Sequence, residues 1–296
     1  MVISIEVVKI EEQYLESFDI DDYEYNELEK IEVTLLLEGI YRYYGFDFRD
    51  YAYSSIKRRI LHRMSVEKLT TISALQEKVL RDEHLLGKLL SDFSINVTEM
   101  FRDPTFFKFL RTNVLPVFRN YPLIRIWHAG CASGEEVYSM AIMLHEEGLY
   151  HKAKIYATDM NENILEKAQK GQFPINRMQV YTRNYHQAGG TKEFSEYYTA
   201  DNDIVTFHPF LKDNIIFAHH NLATDHSFNE FHLILCRNVL IYFNQTLQNR
   251  VQKLFYDSLS IDGFLALGNK EVITYTNLWD KYVEVNSTEK VYKKIK

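Results

Sequence analysis

The sequence predicts an α/β protein: a doubly wound, mostly parallel sheet, preceded by a small helical domain and carrying a small antiparallel β-insertion. Three observations predict it. Apolar residues recur at helical spacing from Glu27 to about Arg119, and at Leu123 the period shortens to that of strands. From Ile124 onward short apolar strands alternate with helices, as in parallel βαβ units. One strand–turn–helix, Trp127 to Glu136, gathers Ala129, Gly130, Ala132, Ser133 and Gly134 in a single turn, where small residues let a ligand approach the backbone.

In chain order, Leu35, Leu36, Gly39, Ile40 and Tyr43 mark a first helix ended by Tyr44-Gly45-Phe46. Ser54 or Ser55 would cap the next, with Ile56, Ile60 and Met64 on its apolar face. Ser73–Arg81 and Glu83–Ser91 follow, and Asp103-Pro104 opens another helix with Pro at its first position. The strands are Ile124–His128, Lys154–Asp159, Phe231–Cys236 and Phe264–Leu267, with helices from Gly134, Asn161 and Thr246 between them and an Asp262-Gly263 turn. Lys281–Val285 and Lys290–Lys294 form a closing hairpin. Between Phe173 and Asn221 the alternation breaks, and Ile204–Phe207 and Asn214–Ala218 read as antiparallel strands of an insertion. The expected divisions are an acidic extension (1–26), a helical domain (27–95), a linker and helix (96–122) and the α/β domain (123–296) with its insertion at about 173–220.

Composition limits the function classes. The 34 Lys/Arg against 41 Asp/Glu give a net charge of −7, which argues against a nucleic-acid partner. No apolar run reaches the roughly 20 residues of a membrane helix, and the first residues lack the basic start of a secretory signal. Two distant cysteines, Cys131 and Cys236, fit a reducing compartment, so a cytoplasmic protein is expected. Residues 1–32 hold eleven Asp/Glu against Lys9 and Lys30, whereas 42–68 hold seven Lys/Arg against three Asp/Glu. That basic segment, with Arg58, Arg59, His62 and Arg63, is either a solvated helix surface or a docking face for an acidic partner.

Four segments carry chemistry. The Trp127–Glu136 turn lacks the Gly-Lys-Ser/Thr of a phosphate loop, and its two glycines are too widely spaced for G-x-G-x-x-G. Glu135-Glu136 at the helix start disfavours a pyrophosphate and suits a cation such as S-adenosylmethionine; a plain tight turn would look similar. Asp159 ends the second strand, where an acid can hold both ribose hydroxyls of an adenosine, although Asp is also a common helix cap. Cys236–Phe243 follows a buried strand and overlies the ligand cleft, with Cys236 itself a small buried hydrophobe. In Asn96–Arg102 an Arg could hold a carboxylate.

Together, four blocks resemble the chemotaxis receptor glutamate methyltransferases, the CheR family: Asn96-Val97-Thr98-Glu99-Met100-Phe101-Arg102-Asp103; Ile126-Trp127 through Ser139; Ala157-Thr158-Asp159-Met160-Asn161; and Cys236-Arg237-Asn238-Val239-Leu240-Ile241-Tyr242-Phe243. The resemblance spans about residues 27–275. It implies a class I, Rossmann-like methyltransferase fold. It also implies methyl transfer from S-adenosylmethionine to glutamate side chains on the cytoplasmic helices of a chemoreceptor, leaving S-adenosylhomocysteine. On matching positions Asn96, Thr98 and Arg102 would contact the cofactor or order the linker over it, and Ala129, Gly130 and Glu135 would border it. Asp159 would hold the ribose, with Met160 next to it, Asn221 and Leu222 would contact the adenine side, Val239 would also border the cofactor, and Asn238 and Tyr242 would face the methyl group and the incoming carboxylate. Arg102 and Tyr242 would clamp the incoming carboxylate, and Arg58, Arg59, His62 and Arg63 would meet the receptor. The implied protein is a monomer with no metal, partnered by a methyl-accepting chemoreceptor and not embedded in the membrane.

Two departures stand out. The family often has Gly-His-Ser-Glu after the last parallel strand, here Gly268-Asn269-Lys270-Glu271, and its glycine turn usually lacks a cysteine such as Cys131. The insertion is compact around Thr199–Asp203, whereas members that grip a tethering receptor peptide have a longer, glycine-containing loop, so a tether-independent enzyme is expected. The rival readings are a same-fold methyltransferase with another acceptor, and a non-catalytic cofactor-binding scaffold.

Overall fold

The structure, a computed structural model, describes residues 27–94, 98–273 and 278–296. The helical domain contains α1 (Glu27–Tyr44), α2 (Tyr53–Val66), α3 (Ile72–Val79) and α4 (Glu83–Phe93). Each offers an apolar stripe, and Leu36, Ile40, Ile56, Ile60, Leu75, Val79 and Leu89 meet in one core. Thr71 caps α3 by accepting from Ala74 N, and the Asp82 side chain caps α4 through His84 and Leu85 N. Ser54 and Ser55 do not cap α2, which begins at Tyr53 after Ala52 without a side-chain cap. A tertiary contact sets that start: Ala52 N donates to the Tyr242 carbonyl at 2.8 Å, and Tyr51 bridges to Phe243.

The second unit opens with α5 (Pro104–Phe109) and continues through β1 (Ile124–Ala129), α6 (Glu135–Glu146), β2 (Ala153–Asp159), α7 (Glu162–Lys170), β3 (Gln172–Pro174), α8 (Met178–Gln187), β4 (Tyr198–Asp201), β5 (Ile204–Phe207), β6 (Ile215–His219), β7 (Phe231–Cys236), α9 (Gln245–Ser258), β8 (Leu259–Leu267), β9 (Tyr282–Asn286) and β10 (Val291–Lys294). The main sheet runs β6-β2-β1-β7-β8-β10-β9. Its first five strands are parallel, and β10 is antiparallel to β8 and β9. β1 and β7 are buried almost throughout, as strands covered on both faces must be. One face packs on α6 and the insertion, the other on α9. Trp127 is fully buried among Phe228, Phe231 and Phe255, and its indole N–H donates to Thr158 Oγ1 at 2.8 Å. The strand order reverses beside β1, so the ligand crevice lies at the C-terminal ends of β1, β2 and β7.

The doubly wound sheet, the helical domain and the small antiparallel sheet are all as the sequence predicts. One strand differs. Residues 215–219 pair in parallel with β2, from Ile155 with Ile215 to Asp159 with His219, and so form the edge of the main sheet. The small sheet is β3-β5-β4 instead. An apolar run of five residues encodes burial but not its partner, and the chain returns to β2 after the short turn Pro209–Leu211. The insertion therefore closes before residue 215. It also contains α8, which buries Met178, Tyr181 and Tyr185 at helical spacing. The Asp262-Gly263 turn falls within β8, where Asp262 is left-handed (φ 64°) and the pairing with β7 skips from Leu259 to Phe264.

Candidate active site

The glycine turn after β1 is fixed by its neighbour strand. Gly130 N and Cys131 N both donate to Thr158 O at 2.9 Å, and Ala132 N donates to Asp159 Oδ2 at 3.0 Å. The chain here requires left-handed backbone at Gly130 (φ 77°), Ala132 (φ 47°) and Gly134 (φ 92°). Ala132 adopts it with a Cβ, local strain of the kind found at ligand sites. Cys131 is a buried hydrophobe whose thiol burial pushes above its ordinary range. Ala129, at the end of β1, is also buried.

Three carboxylates surround this turn. Asp159 is buried, and burial raises its pKa while N–H donors from Asn161, Ala132 and Met160 oppose the rise. A carboxylate has about four acceptor positions, and these backbone contacts leave room for further donors. Glu135 and Glu136, adjacent in sequence, have different roles. Glu136 accepts from His128 Nδ1 at 2.9 Å and Arg237 Nη1 at 3.1 Å. Burial alone would raise its pKa, yet His128 and Arg237 hold it below the ordinary value. Glu135 accepts from hydroxyls, Ser133 Oγ at 2.6 Å and Tyr181 Oη of α8 at 3.5 Å. Burial pushes its carboxyl up to about 7, against the Ser133 hydrogen bond.

The segment ahead of α5 straps across α6. Phe101, buried, donates its N–H to Ser139 Oγ at 2.9 Å, and Asn184 of α8 donates to Met100 O at 3.1 Å. Phe101 (φ 51°) and Asp103 (φ 55°) are both left-handed, and they flank Arg102. From the other side Arg237, its side chain 1 % exposed, lies over the Phe106 ring at 3.9 Å, donates to Asp103 Oδ2 at 2.5 Å and reaches Arg102 O at 3.4 Å. Arg237 thus ties the strap, the start of α6 and the end of β7 together. Thr98 and Arg102 are half-buried, and Asn96 lies outside the described residues.

After β7, Cys236 is fully buried and Asn238 is left-handed (φ 61°). The segment 240–244 docks on the helical domain: Asn244 N donates to Asp50 O at 2.9 Å, and the Tyr51 and Phe243 rings pack 4.9 Å apart. Tyr51 Oη also donates to Met160 Sδ at 3.3 Å, so the same tyrosine reaches the end of β2. Tyr242 is half-buried. Burial raises its pKa while the charges of Arg59 and Arg58 from α2 and of Arg102 from the strap lower it. Asn221 and Leu222 are buried beyond β6, beside Asp159, whose carbonyl accepts from His220 N at 3.1 Å; Asn221 Oδ1 accepts from Ala223 N at 2.9 Å.

The basic face of α2 divides. Arg58 and His62 are exposed and Arg59 is half-buried, with Nη1 donating to Asp92 O at 2.7 Å. Arg63 does not belong to an exposed docking face. It is buried and binds both Asp92 oxygens, at 2.7 and 2.8 Å, as a tie between α2 and α4. Residue spacing explains this, because positions 58, 59, 62 and 63 wrap beyond one face and turn the last toward α4.

Two residues of the site escape the sequence reading. Arg237 lies inside a block singled out there, and its place between a buried strand and Asn238 was the signal. Glu271 is buried and accepts backbone N–H groups from Gly268, Asn238, Val239 and Ile241. Its signal was the Gly-x-x-Glu spacing after β8.

The family model described as "CheR methyltransferase, SAM binding domain" matches residues 96–290, and "CheR methyltransferase, all-alpha domain" matches 31–94. The Pseudomonas putida protein Cher3 is 47% identical over 264 residues, covering 89% of this chain and 97% of that protein. Chemotaxis protein methyltransferases of Listeria innocua (31% identity over 231 residues, 77% of this chain and 85% of the relative) and Borreliella burgdorferi (30% over 260 residues, 82% and 89%) are also similar.

Proposed function

This chain belongs to the CheR methyltransferase family, and from that footing we propose that it methylates glutamate side chains on the cytoplasmic helices of a chemoreceptor, producing glutamyl methyl esters. It is a methyltransferase with a class I, Rossmann-like fold that uses S-adenosylmethionine, and no helix among the described residues is long and apolar enough to cross a membrane.

The residues at the crevice fit this cofactor. Asp159, which takes backbone N–H contacts at 3.0 Å from Ala132 and Asn161 and a further one from Met160, accepts from the ribose hydroxyls. Glu135, which takes hydrogen bonds from the Ser133 and Tyr181 hydroxyls, accepts from the cationic amino-acid end. Ala129 and Gly130 border the same end, Met160, Asn221, Leu222 and Val239 enclose the nucleoside, and Asn238 faces the methyl group. Thr98 and Arg102, on the strap, contact the cofactor or order the strap over it, a role that the family resemblance also gives to Asn96.

When bound, the cofactor supplies a methyl group on a sulfonium, which leaves as a neutral thioether. A glutamate side chain is already ionised at neutral pH, so the protein needs no general base. Its task is to align the carboxylate with the methyl group and to exclude water. Arg102 and Tyr242 hold the carboxylate, and Arg58, Arg59 and His62 draw in an acidic receptor helix.

The observation that carries this reading is the docking of the Tyr242 segment on the helical domain at the start of its basic helix, where Ala52 N donates to Tyr242 O at 2.8 Å and the charges of Arg59, Arg102 and Arg58 lower the Tyr242 pKa, an environment suited to an anionic acceptor. The compact β4–β5 hairpin, turned by Asn202-Asp203 with Asn202 at φ 51°, supports action without a tethering receptor peptide. The protein works in the cytoplasm, as a monomer.

Label transfer from methyl-labelled S-adenosylmethionine to receptor-enriched membranes tests the proposal. Label released by mild base means an ester on a carboxylate. Base-stable label means another acceptor, and no transfer despite cofactor binding means a scaffold.

A further inference from the structure

We infer that Glu271 is a positioning residue that sets the cofactor cleft by holding the loop from Asn238 to Tyr242. The inference rests on the functional reading above only in what the loop touches.

Glu271 sits four residues beyond the last parallel strand and is 3 % exposed. Its Oε2 accepts from Gly268 N at 2.5 Å and Asn238 N at 3.0 Å, and its Oε1 from Val239 N at 2.8 Å and Ile241 N at 3.4 Å. One carboxylate thus replaces the partners that a strand or helix would give four backbone donors. Buried N–H groups cannot be left unmet without cost, so the loop follows the carboxylate.

The loop in turn sets two parts of the site. Val239 packs so closely over the glycine turn that a Cβ on Gly130 would lie 2.7 Å from Val239 Cγ2. Tyr242 follows Ile241 directly and senses the Glu271 charge. The packing around the carboxylate is equally tight: a Cβ on Gly268 would fall 2.7 Å from Glu271 Oε2 and 2.8 Å from Asn238 N. Of the four residues Gly268-Asn269-Lys270-Glu271, the first and last therefore touch the loop, while Asn269 and Lys270 are exposed. The departures from the family pattern fall on the two positions that do not hold it.

Two substitutions test this, Glu271→Gln and Gly268→Ala, with S-adenosylhomocysteine affinity measured by calorimetry and methyl transfer normalised to the cofactor-binding fraction. Glu271→Gln presents an NH2 to backbone donors, and Gly268→Ala displaces the carboxylate without removing it. Each is expected to weaken cofactor affinity about 10-fold or more, the scale of an unmet buried donor, in protein that remains folded by circular dichroism. If Glu271→Gln does not fold, Gly268→Ala decides. Affinity within about twofold of the parent in the folded variants would overturn the inference, because a merely structural carboxylate changes the folded fraction and not the affinity of what is folded. An absence of methyl transfer by the parent protein would overturn the functional reading instead, and the affinity comparison would still decide the role of Glu271.

Discussion

Gly130 and Val239 approach so closely that a single added methyl group would not fit: a Cβ on Gly130 would lie 2.7 Å from Val239 Cγ2. Two of the segments that resemble the family, far apart in sequence, thus meet in space. Because Gly130 also has φ 77°, Gly130→Ala combines a clash with backbone strain. The expected result is a loss of cofactor affinity of about 10-fold or more, with stability lowered by about 1–2 kcal/mol. Calorimetric titration and thermal melting measure both, and an unchanged cofactor affinity would contradict the close-approach role.

Arg102 is held between two left-handed residues by contacts to its backbone neighbours. Replacing its side chain leaves those anchors in place. Arg102→Ala should therefore lower methyl-transfer kcat/KM by about 100-fold or more, the scale of lost alignment, while the melting temperature moves by a few degrees at most. Unimpaired kinetics would remove Arg102 from the clamp.

Glu135 predicts a pH dependence with a definite sign. Its folded carboxyl titrates near about 7, above the ordinary 4.5. The folded state therefore holds a proton that the unfolded state has released. This group's contribution to stability is complete below about pH 4.5 and is lost as pH rises through 7. Cofactor affinity moves the opposite way, rising from about pH 6 to 8 as the carboxylate becomes available to a cation. Glu135→Gln should flatten both profiles. A variant whose affinity retains the parent's pH slope would show that another group is responsible.

Arg63 and Arg58 are neighbours on α2 with opposite roles. Arg63 is buried with Asp92, so Arg63→Ala should destabilise the helical domain by about 2–4 kcal/mol, near the cost of breaking a buried pair. Arg58 is exposed, and Arg58→Ala should leave stability within about 0.5 kcal/mol while raising KM for the receptor several-fold. Melting curves and receptor titrations separate them, and the reverse pattern would refute the division of this face.

The short β4–β5 hairpin predicts independence from a receptor tail. Deleting the last residues of the receptor's C-terminus should leave the methylation rate within about twofold, since no linked binding event is lost. A drop of 10-fold or more would show that the small sheet grips a tether.

Much of this site is readable in the sequence because each signal is local. The glycine turn, Asp159 at the end of β2 and Asn238 after β7 sit at strand ends, where position along the chain fixes position over the crevice. What is not readable depends on partners. Ile215-Ile216-Phe217 has the same composition whether it joins the insertion or runs parallel to β2. Arg63 looks like Arg58 until Asp92 of α4 is brought beside it. Glu271 is one acid among 41 Asp/Glu, and only the fold shows four N–H groups turned toward it. Cap prediction failed at Ser54 for the same reason, because the start of α2 is set by Tyr242, far away in sequence.

The most direct test of the central claim is mass-spectrometric mapping of methyl groups on a purified receptor cytoplasmic domain after incubation with the protein and S-adenosylmethionine. The predicted result is methylation of glutamate carboxyls that is lost on mild alkaline treatment and absent with Arg102→Ala. Methylation of another residue type, or an unmodified receptor although the protein binds the cofactor, would contradict it.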